Sequence, residues 1–229
     1  MGFDNEKLKN VLAKIKDAAV SVNRSPADIT LIAVTKTIDI QTIKAAIAAG
    51  ISVIGENRVQ EAEAKWREIG TGVKWHLVGH LQTNKVKKAV RMFDLIHSVD
   101  SLKLAQEVDR RAREAGKVQD ILVQVNTSGE DSKFGVAPEA TADLVCAIKE
   151  LSHVEVRGLM TIGAFLPGPE AVRPCFKLLR SLQETIRTRA GESIDLGHLS
   201  MGMTNDYEAA VQEGATLVRV GRALFGERS

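Results

Sequence analysis

Cysteine is almost missing from this chain. Cys146 and Cys175 are the only two. They are too few for a disulfide framework and lack the paired spacing of a metal site. Both fall in expected helices and read as structural. Aromatic residues make up 4% of the sequence, which excludes a stacking platform for single-stranded nucleic acid. Neither sign of charge is in excess: 31 Lys+Arg against 29 Asp+Glu leave a formal net charge of +2. A dedicated nucleic-acid binder would carry a clear basic surplus. No run approaches the roughly 18 apolar residues that cross a bilayer, so no membrane partner is expected. The polar, mixed-charge stretch from Met1 to Asn10 reads as neither signal nor transit peptide, and the expected compartment is the cytosol. Also missing are a P-loop, a G-x-G-x-x-G turn after a strand, an H-E-x-x-H helix and a nucleophile elbow.

What is present is alternation. The 229 residues are 44% hydrophobic and 26% charged, an ordinary globular balance. Lys7–Val22 has apolar residues at helical spacing. Beyond Ser25-Pro26, short apolar runs of the kind buried on both faces occur at 30–35, 51–54, 74–78, 95–98, 121–125, 154–159, 194–199 and 216–220. Amphipathic segments follow them at 40–49, 58–68, 84–90, 101–115, 139–151, 171–189 and 206–213, with a last short turn at 222–225. Parallel strands need helical crossovers, and eight such units favour a single (β/α)8 TIM barrel over a doubly wound open sheet. We expect one α/β domain over 1–229, with an extra N-terminal helix (1–25) as lid or brace and the barrel at 30–226.

Barrel chemistry sits at the C-terminal strand ends. Strand alternation groups Ile32, Val34 and Lys36 on one side. If that side is the interior, Lys36 presents its amine at the mouth, where desolvation favours the neutral, nucleophilic form; a lysine snorkelling to solvent is the alternative. After strand seven, Ser200, Gly202 and Thr204 lead into a helix, and Gly221 ends strand eight. Loops after these two strands commonly hold phosphate in such barrels, although Thr204–Asp206 would also serve as a plain helix cap. Arg219 is either a cation in the mouth or half of a structural ion pair. Asn57, with Glu56 at the expected start of a helix, offers a hydrogen bond to a ligand. His76, inside a strand, reads first as a core histidine.

An ordered series of strings carries a resemblance: Ala33-Val34-Thr35-Lys36, Gly55-Glu56-Asn57-Arg58-Val59-Gln60-Glu61, Trp75-His76 through Gly79-His80-Leu81-Gln82-Thr83-Asn84-Lys85, Val125-Asn126 with Lys133-Phe134-Gly135, Arg157-Gly158-Leu159-Met160, Leu199-Ser200-Met201-Gly202-Met203, and Val218-Arg219-Val220-Gly221 ending in Phe225-Gly226-Glu227-Arg228. The set resembles the pyridoxal phosphate homeostasis protein family along nearly the whole chain. That resemblance implies a fold-type III barrel similar to the barrel domain of alanine racemase, with pyridoxal 5′-phosphate as a covalent aldimine on Lys36. It implies phosphate contacts from Ser200, Gly202 and Gly221, with Met203 or Thr204 contributing. Arg219 would face the pyridine nitrogen, and Asn57, His76 and Met160 would line the pocket.

A cation beside that nitrogen disfavours the pyridinium form and weakens the electron sink. The sequence also ends at Ser229 without the covering β-domain of the racemases, and its single tyrosine, Tyr207, falls in a helix. The expected role is a carrier or buffer in vitamin B6 homeostasis, working without turnover. A racemase or Schiff-base aldolase is the alternative. Expected partners are pyridoxal phosphate and, transiently, apo enzymes that use it; a monomer is expected. Lys133, on a loop after strand five, is a secondary candidate for the imine.

Overall fold

The computed structural model describes residues 3–130, 132–164, 168–190 and 195–226. Runs of apolar residues buried on both faces pair in parallel, and the helices between them bury one stripe each. In chain order the elements are α1 (Asn5–Val20), β1 (Thr30–Val34), α2 (Ile40–Ala48), β2 (Val53–Glu56), α3 (Val59–Ile69), β3 (Lys74–Leu77), α4 (Val86–Met92) and β4 (Leu95–Val99). There follow α5 (Leu102–Glu114), β5 (Gln119–Gln124), α6 (Thr141–Lys149), β6 (Val154–Met160), α7 (Pro169–Ala190), β7 (His198–Met203), α8 (Tyr207–Gln212), β8 (Leu217–Val220) and α9 (Arg222–Phe225). Each strand pairs with the next, and β1 pairs with β8 in the register Thr30↔Leu217 to Ala33↔Val220, closing the eight-stranded barrel. The expected TIM barrel is therefore the observed fold.

Two apolar layers result. Ala33, Ile54, Leu77, Ile96, Val123, Leu159, Leu199 and Val218 point outward and pack under the helices. Ile32, Val34, Val53, Val78, Leu95, Leu122, Met160 and Leu217 fill the interior. The period of two thus puts the Ile32–Val34–Lys36 side inward, and on β8 it puts Arg219 inward with Leu217.

α1 starts at Asp4, whose carboxylate accepts the Glu6 N–H at 3.0 Å, and buries Leu8, Val11, Ile15, Ala18 and Ala19. It lies against α8 and α9. Lys14 pairs with Glu208 at 3.1 Å, and just beyond the helix Arg24 donates to the Val211 and Ala215 carbonyls at 2.6 and 2.9 Å. Of lid and brace, the contacts select the brace.

Three expectations need correction. β2 runs to Glu56 instead of ending at Ile54, so Glu56 is a fully buried strand residue and not the start of a helix. β7 begins at His198, and Ser200–Met203 are strand where a loop was expected. A register shift between Ser200 and Met203 and a left-handed Gly202 with φ of 87° let this polar, glycine-containing run stay in the sheet as a bulge. Cys146 is exposed, because Thr141, Val145 and Ile148 take the buried face of α6. Ile194, at the expected strand start, lies outside the described residues, as do Asp131, Pro167, Glu227 and Arg228.

Candidate functional site

Above the inner apolar layer, a cavity of about 770 Å³ opens at the C-terminal ends of the strands. That is the size range of small-molecule and cofactor pockets. Val34, Asn57, Val78, Ile162–Ala164 and Val172 line one part of it; Met203–Asp206, Arg219, Gly221 and Arg222 line another. Lys36, two residues beyond β1 on its inward side, is the one lysine on the described wall.

The floor is polar. Arg219 is 4% exposed. Its guanidinium donates to Ser200 Oγ at 2.5 Å and to the Thr161 carbonyl at 2.8 Å. No carboxylate lies within ion-pair distance of it among the described residues, so the alternative of a structural ion pair is not realised. Burial lowers Arg219 to about 10 against the partial support of Asp206, which leaves it cationic at neutral pH. Asp206, on the same wall, is pushed up by burial while its carboxylate accepts the Met203 N–H at 2.5 Å.

Beneath Arg219 the hydrogen bonds continue through side chains of three strands. A guanidinium only donates, so Ser200 Oγ accepts from it, and the same hydroxyl is hydrogen-bonded to His97 Nδ1, 2.9 Å away. His97 Nε2 is in turn hydrogen-bonded to His76 Nδ1 at 3.1 Å. Arg219, Ser200, His97 and His76 form a buried relay of hydrogen bonds across the barrel interior.

Burial keeps both imidazoles neutral. It takes His76 down to about 4, with Asp94 opposing, and takes His97 well below its ordinary value, with His76 and Arg219 adding to the effect. Unfolded histidines near 6.5 bind protons first as pH falls. Stability is therefore full above about pH 6.5 and declines from there toward pH 4, by at most about 1.4 kcal/mol per pH unit for each histidine. In an NMR titration, the ring C–H signals of His76 and His97 should stay unshifted down to pH 5. A midpoint near 6.5 for either ring would show that the relay is not closed to water.

The structure brings Lys36, Asn57, Met203, Thr204, Arg219 and Gly221 together on one wall. It places Ser200, His76, Gly202 and Met160 elsewhere. Ser200 and His76 belong to the relay under the floor, and Met160 lies in the inner apolar layer. Gly202 serves close packing against α8, since a Cβ there would sit 2.5 Å from Ala210 Cβ and 2.9 Å from Tyr207 Cα. Lys133 lies on the loop after β5 and is not on the cavity wall. Residues given no site role from the sequence are His97, Asn205, Asp206 and Arg222. The last three lie within three residues of the end of β7 or β8, and position alone marks them.

The wall suits an anionic aldehyde. It offers one primary amine, two guanidinium groups with two Asn and a Thr, one carboxylate (Asp206), and an apolar flank of Val34, Val78, Ile162 and Val172 for a flat ring.

Residues 4–229 match the family model described as the alanine racemase N-terminal domain. The chain is 43% identical over 224 residues to a protein of Aquifex aeolicus named pyridoxal phosphate homeostasis protein, covering 97% of both. It is 40% identical over 226 residues to an Escherichia coli protein of the same name, covering 96% of this chain and 95% of that one. Among solved structures it is similar to PipY of Synechococcus elongatus with pyridoxal phosphate bound: TM-score 0.82, 39% identity, 93% of this chain and 100% of that one. An alanine racemase of Clostridium difficile shares the barrel at TM-score 0.74 and 17% identity; the alignment spans 97% of this chain and 57% of the racemase.

Proposed function

The chain belongs to the pyridoxal phosphate homeostasis protein family, and from that premise we propose that it is a cytoplasmic carrier that holds pyridoxal 5′-phosphate by a Schiff base on Lys36 and releases it without turnover. The observation that carries this reading is the placement of Lys36: one lysine amine on the wall of a cavity whose other charged groups are mostly cations. The cofactor supplies an aldehyde, which a neutral primary amine joins with loss of water. Asn57, Met203, Thr204 and Gly221, with Arg222 beside them, hold the ligand. Arg219 is fixed at the floor by Ser200 and Thr161 and presents positive charge toward the ring. Ser200 and His76 act from below, through Arg219.

The charge of Arg219 also separates carrier from enzyme. A buried cation next to a pyridine nitrogen opposes its protonation, and an unprotonated ring stabilises a carbanion poorly. Among the described residues the same wall offers Asp206 as its one acid, with an oxygen already engaged by the Met203 N–H. The reading includes a monomer and transient transfer to apo enzymes that use the cofactor.

The test is an absorption spectrum of protein incubated with pyridoxal phosphate, then borohydride reduction and peptide mapping. The expected result is a single reduced adduct, on Lys36. An adduct on Lys133 or another lysine would overturn the assignment. In parallel, the loaded protein is incubated with a panel of amino acids in deuterium oxide. No deuterium should enter the α-carbon; catalytic incorporation that disappears in Lys36→Ala would establish a racemase in place of a carrier.

A further inference from the structure

Lys65, on α3, is buried among charged groups outside the cavity. Its ammonium donates at 2.7 Å to each of three acceptors: Glu56 Oε1 at the end of β2, Glu61 Oε1 one turn back on α3, and the backbone carbonyl of Thr35. The Thr35 hydroxyl donates to the same Glu56 oxygen at 2.6 Å. Glu61 Oε1 also accepts the backbone N–H of Thr37 at 2.5 Å. The cluster therefore grips the chain on both sides of Lys36. The Thr35 carbonyl belongs to the peptide group that enters Lys36, and the Thr37 N–H belongs to the one that leaves it. A residue has only two soft backbone torsions, and both lie between these two rigid planes. Holding the planes holds the Lys36 Cα–Cβ direction.

Two further observations show what this arrangement costs. Thr37 has φ of 64°, a left-handed conformation unfavourable for a residue with a Cβ branch, which persists where surrounding contacts over-determine it. Glu56 is fully buried with its Oε2 making no hydrogen bond among the described residues, and burial pushes its carboxyl up despite Lys65. Buried ion clusters are seldom better for stability than apolar packing of the same volume. Strain and desolvation gathered on the residues flanking one lysine are the pattern of a pre-organised site.

We propose that Lys65, Glu56 and Glu61 are positioning residues that clamp the backbone around Lys36 and so aim its amine at the aldehyde in the cavity. This rests on the reading of Lys36 as the covalent lysine. The clamp acts on the approach of amine nitrogen to aldehyde carbon, a step that forms the C=N bond and releases the aldehyde oxygen as water. It does not act on recognition of the phosphate, whose proposed partners follow β7 and β8.

Glu61→Ala is the test, because Glu61 is partly exposed and its removal leaves the Lys65–Glu56 pair intact. Glu61→Gln keeps the acceptor for Thr37 and serves as the rescue, and Glu63→Ala on the same helix is the control. Three quantities are measured on the full chain. The first is exchange of the Thr37 amide hydrogen in the cofactor-free protein. The second is the rate of imine formation with pyridoxal 5′-phosphate. The third is the affinity for pyridoxine 5′-phosphate, which has no aldehyde.

In Glu61→Ala, Thr37 exchange should quicken and imine formation should slow roughly 10-fold or more, as expected when a reacting group loses its aim. Pyridoxine phosphate affinity should stay within about twofold of the parent, the signature of positioning apart from binding. Glu61→Gln should recover most of the rate, and the control should change nothing. Should Glu61→Ala not fold, Glu61→Asp, which keeps the charge but shortens the reach, should show the same slowing. An imine rate untouched in the folded variant, or equal losses of rate and of pyridoxine phosphate affinity, would overturn the clamp alone. An adduct mapped to another lysine in the unsubstituted protein would remove the reading beneath it.

Discussion

Lys36→Ala should yield a protein that folds normally, takes up no reduction-stable pyridoxal phosphate and loses the ligand on gel filtration. Lys36 is the one lysine on the described cavity wall, so no neighbouring amine can replace it without rebuilding the mouth. The remaining contacts, from Arg219, Asn57, Thr204 and Gly221, keep some affinity for the anionic aldehyde. The expected loss is on the order of 100-fold, equivalent to about 2.8 kcal/mol. Lys36→Arg is the sharper companion: it retains positive charge but offers no amine that condenses. Both variants should behave alike in the reduction assay. An Arg variant that kept the ligand as firmly as the parent would show that charge, not covalency, retains it. Thermal stability is the control, since Lys36 lies beyond β1 and outside both apolar layers.

Gly158→Ala should produce the largest loss of stability from a single methyl group. Gly158 lies in β6 opposite His198 of β7, beside the register shift between Ile121 and Leu122 of β5. A Cβ at this position would stand 1.9 Å from the His198 carbonyl oxygen and 2.6 Å from its carbon. Those are backbone atoms of a paired strand, and no rotamer change relieves the overlap. The two strands would have to part at the point where β7 carries Ser200 to the floor of the site. Overpacking of this kind costs about 3 kcal/mol or more, lowering the melting temperature by roughly 6–12 °C for a chain of this size. Urea denaturation of Gly158→Ala beside Gly72→Ala checks it. Gly72 has nothing within 4 Å of its would-be Cβ, and its replacement should change stability by less than about 0.5 kcal/mol. Equal midpoints for the two would contradict the strand pairing described here.

The barrel and the aim of Lys36 were legible in the sequence because both follow from periods. Eight apolar runs joined by helical segments suggest closure, and alternation along Ile32–Val34–Lys36 decides a face once any member is known to be inside. Arg219 was legible by the same parity. What escaped notice depends on partners far apart in the chain. His97 sits in an apolar run and looks like filler; its partners, Ser200 and His76, lie on other strands. Glu56 looked like a helix start because Gly55-Glu56-Asn57 has the polarity of a turn, yet β2 continues through it to reach Lys65. Ser200-Met201-Gly202-Met203 lacks the β-branched residues that mark a strand, and only pairing with β6 and β8 makes it one. Ser200 and His76 were drawn to the ligand by resemblance. In the structure Ser200 is hydrogen-bonded to Arg219 and His97, and His76 to His97.

Closure of the sheet has a consequence for how the chain is made. The strand that completes the ring against β1 is the last of the eight. During synthesis, β1 therefore keeps an unpaired edge, open to strand addition from any other polypeptide, until Leu217–Val220 has left the ribosome. Refolding from denaturant carries the same burden as a large loop-closure cost. The finished ring has no free edge, so the danger of sticking to other chains falls on the growing polypeptide and vanishes with its final strand.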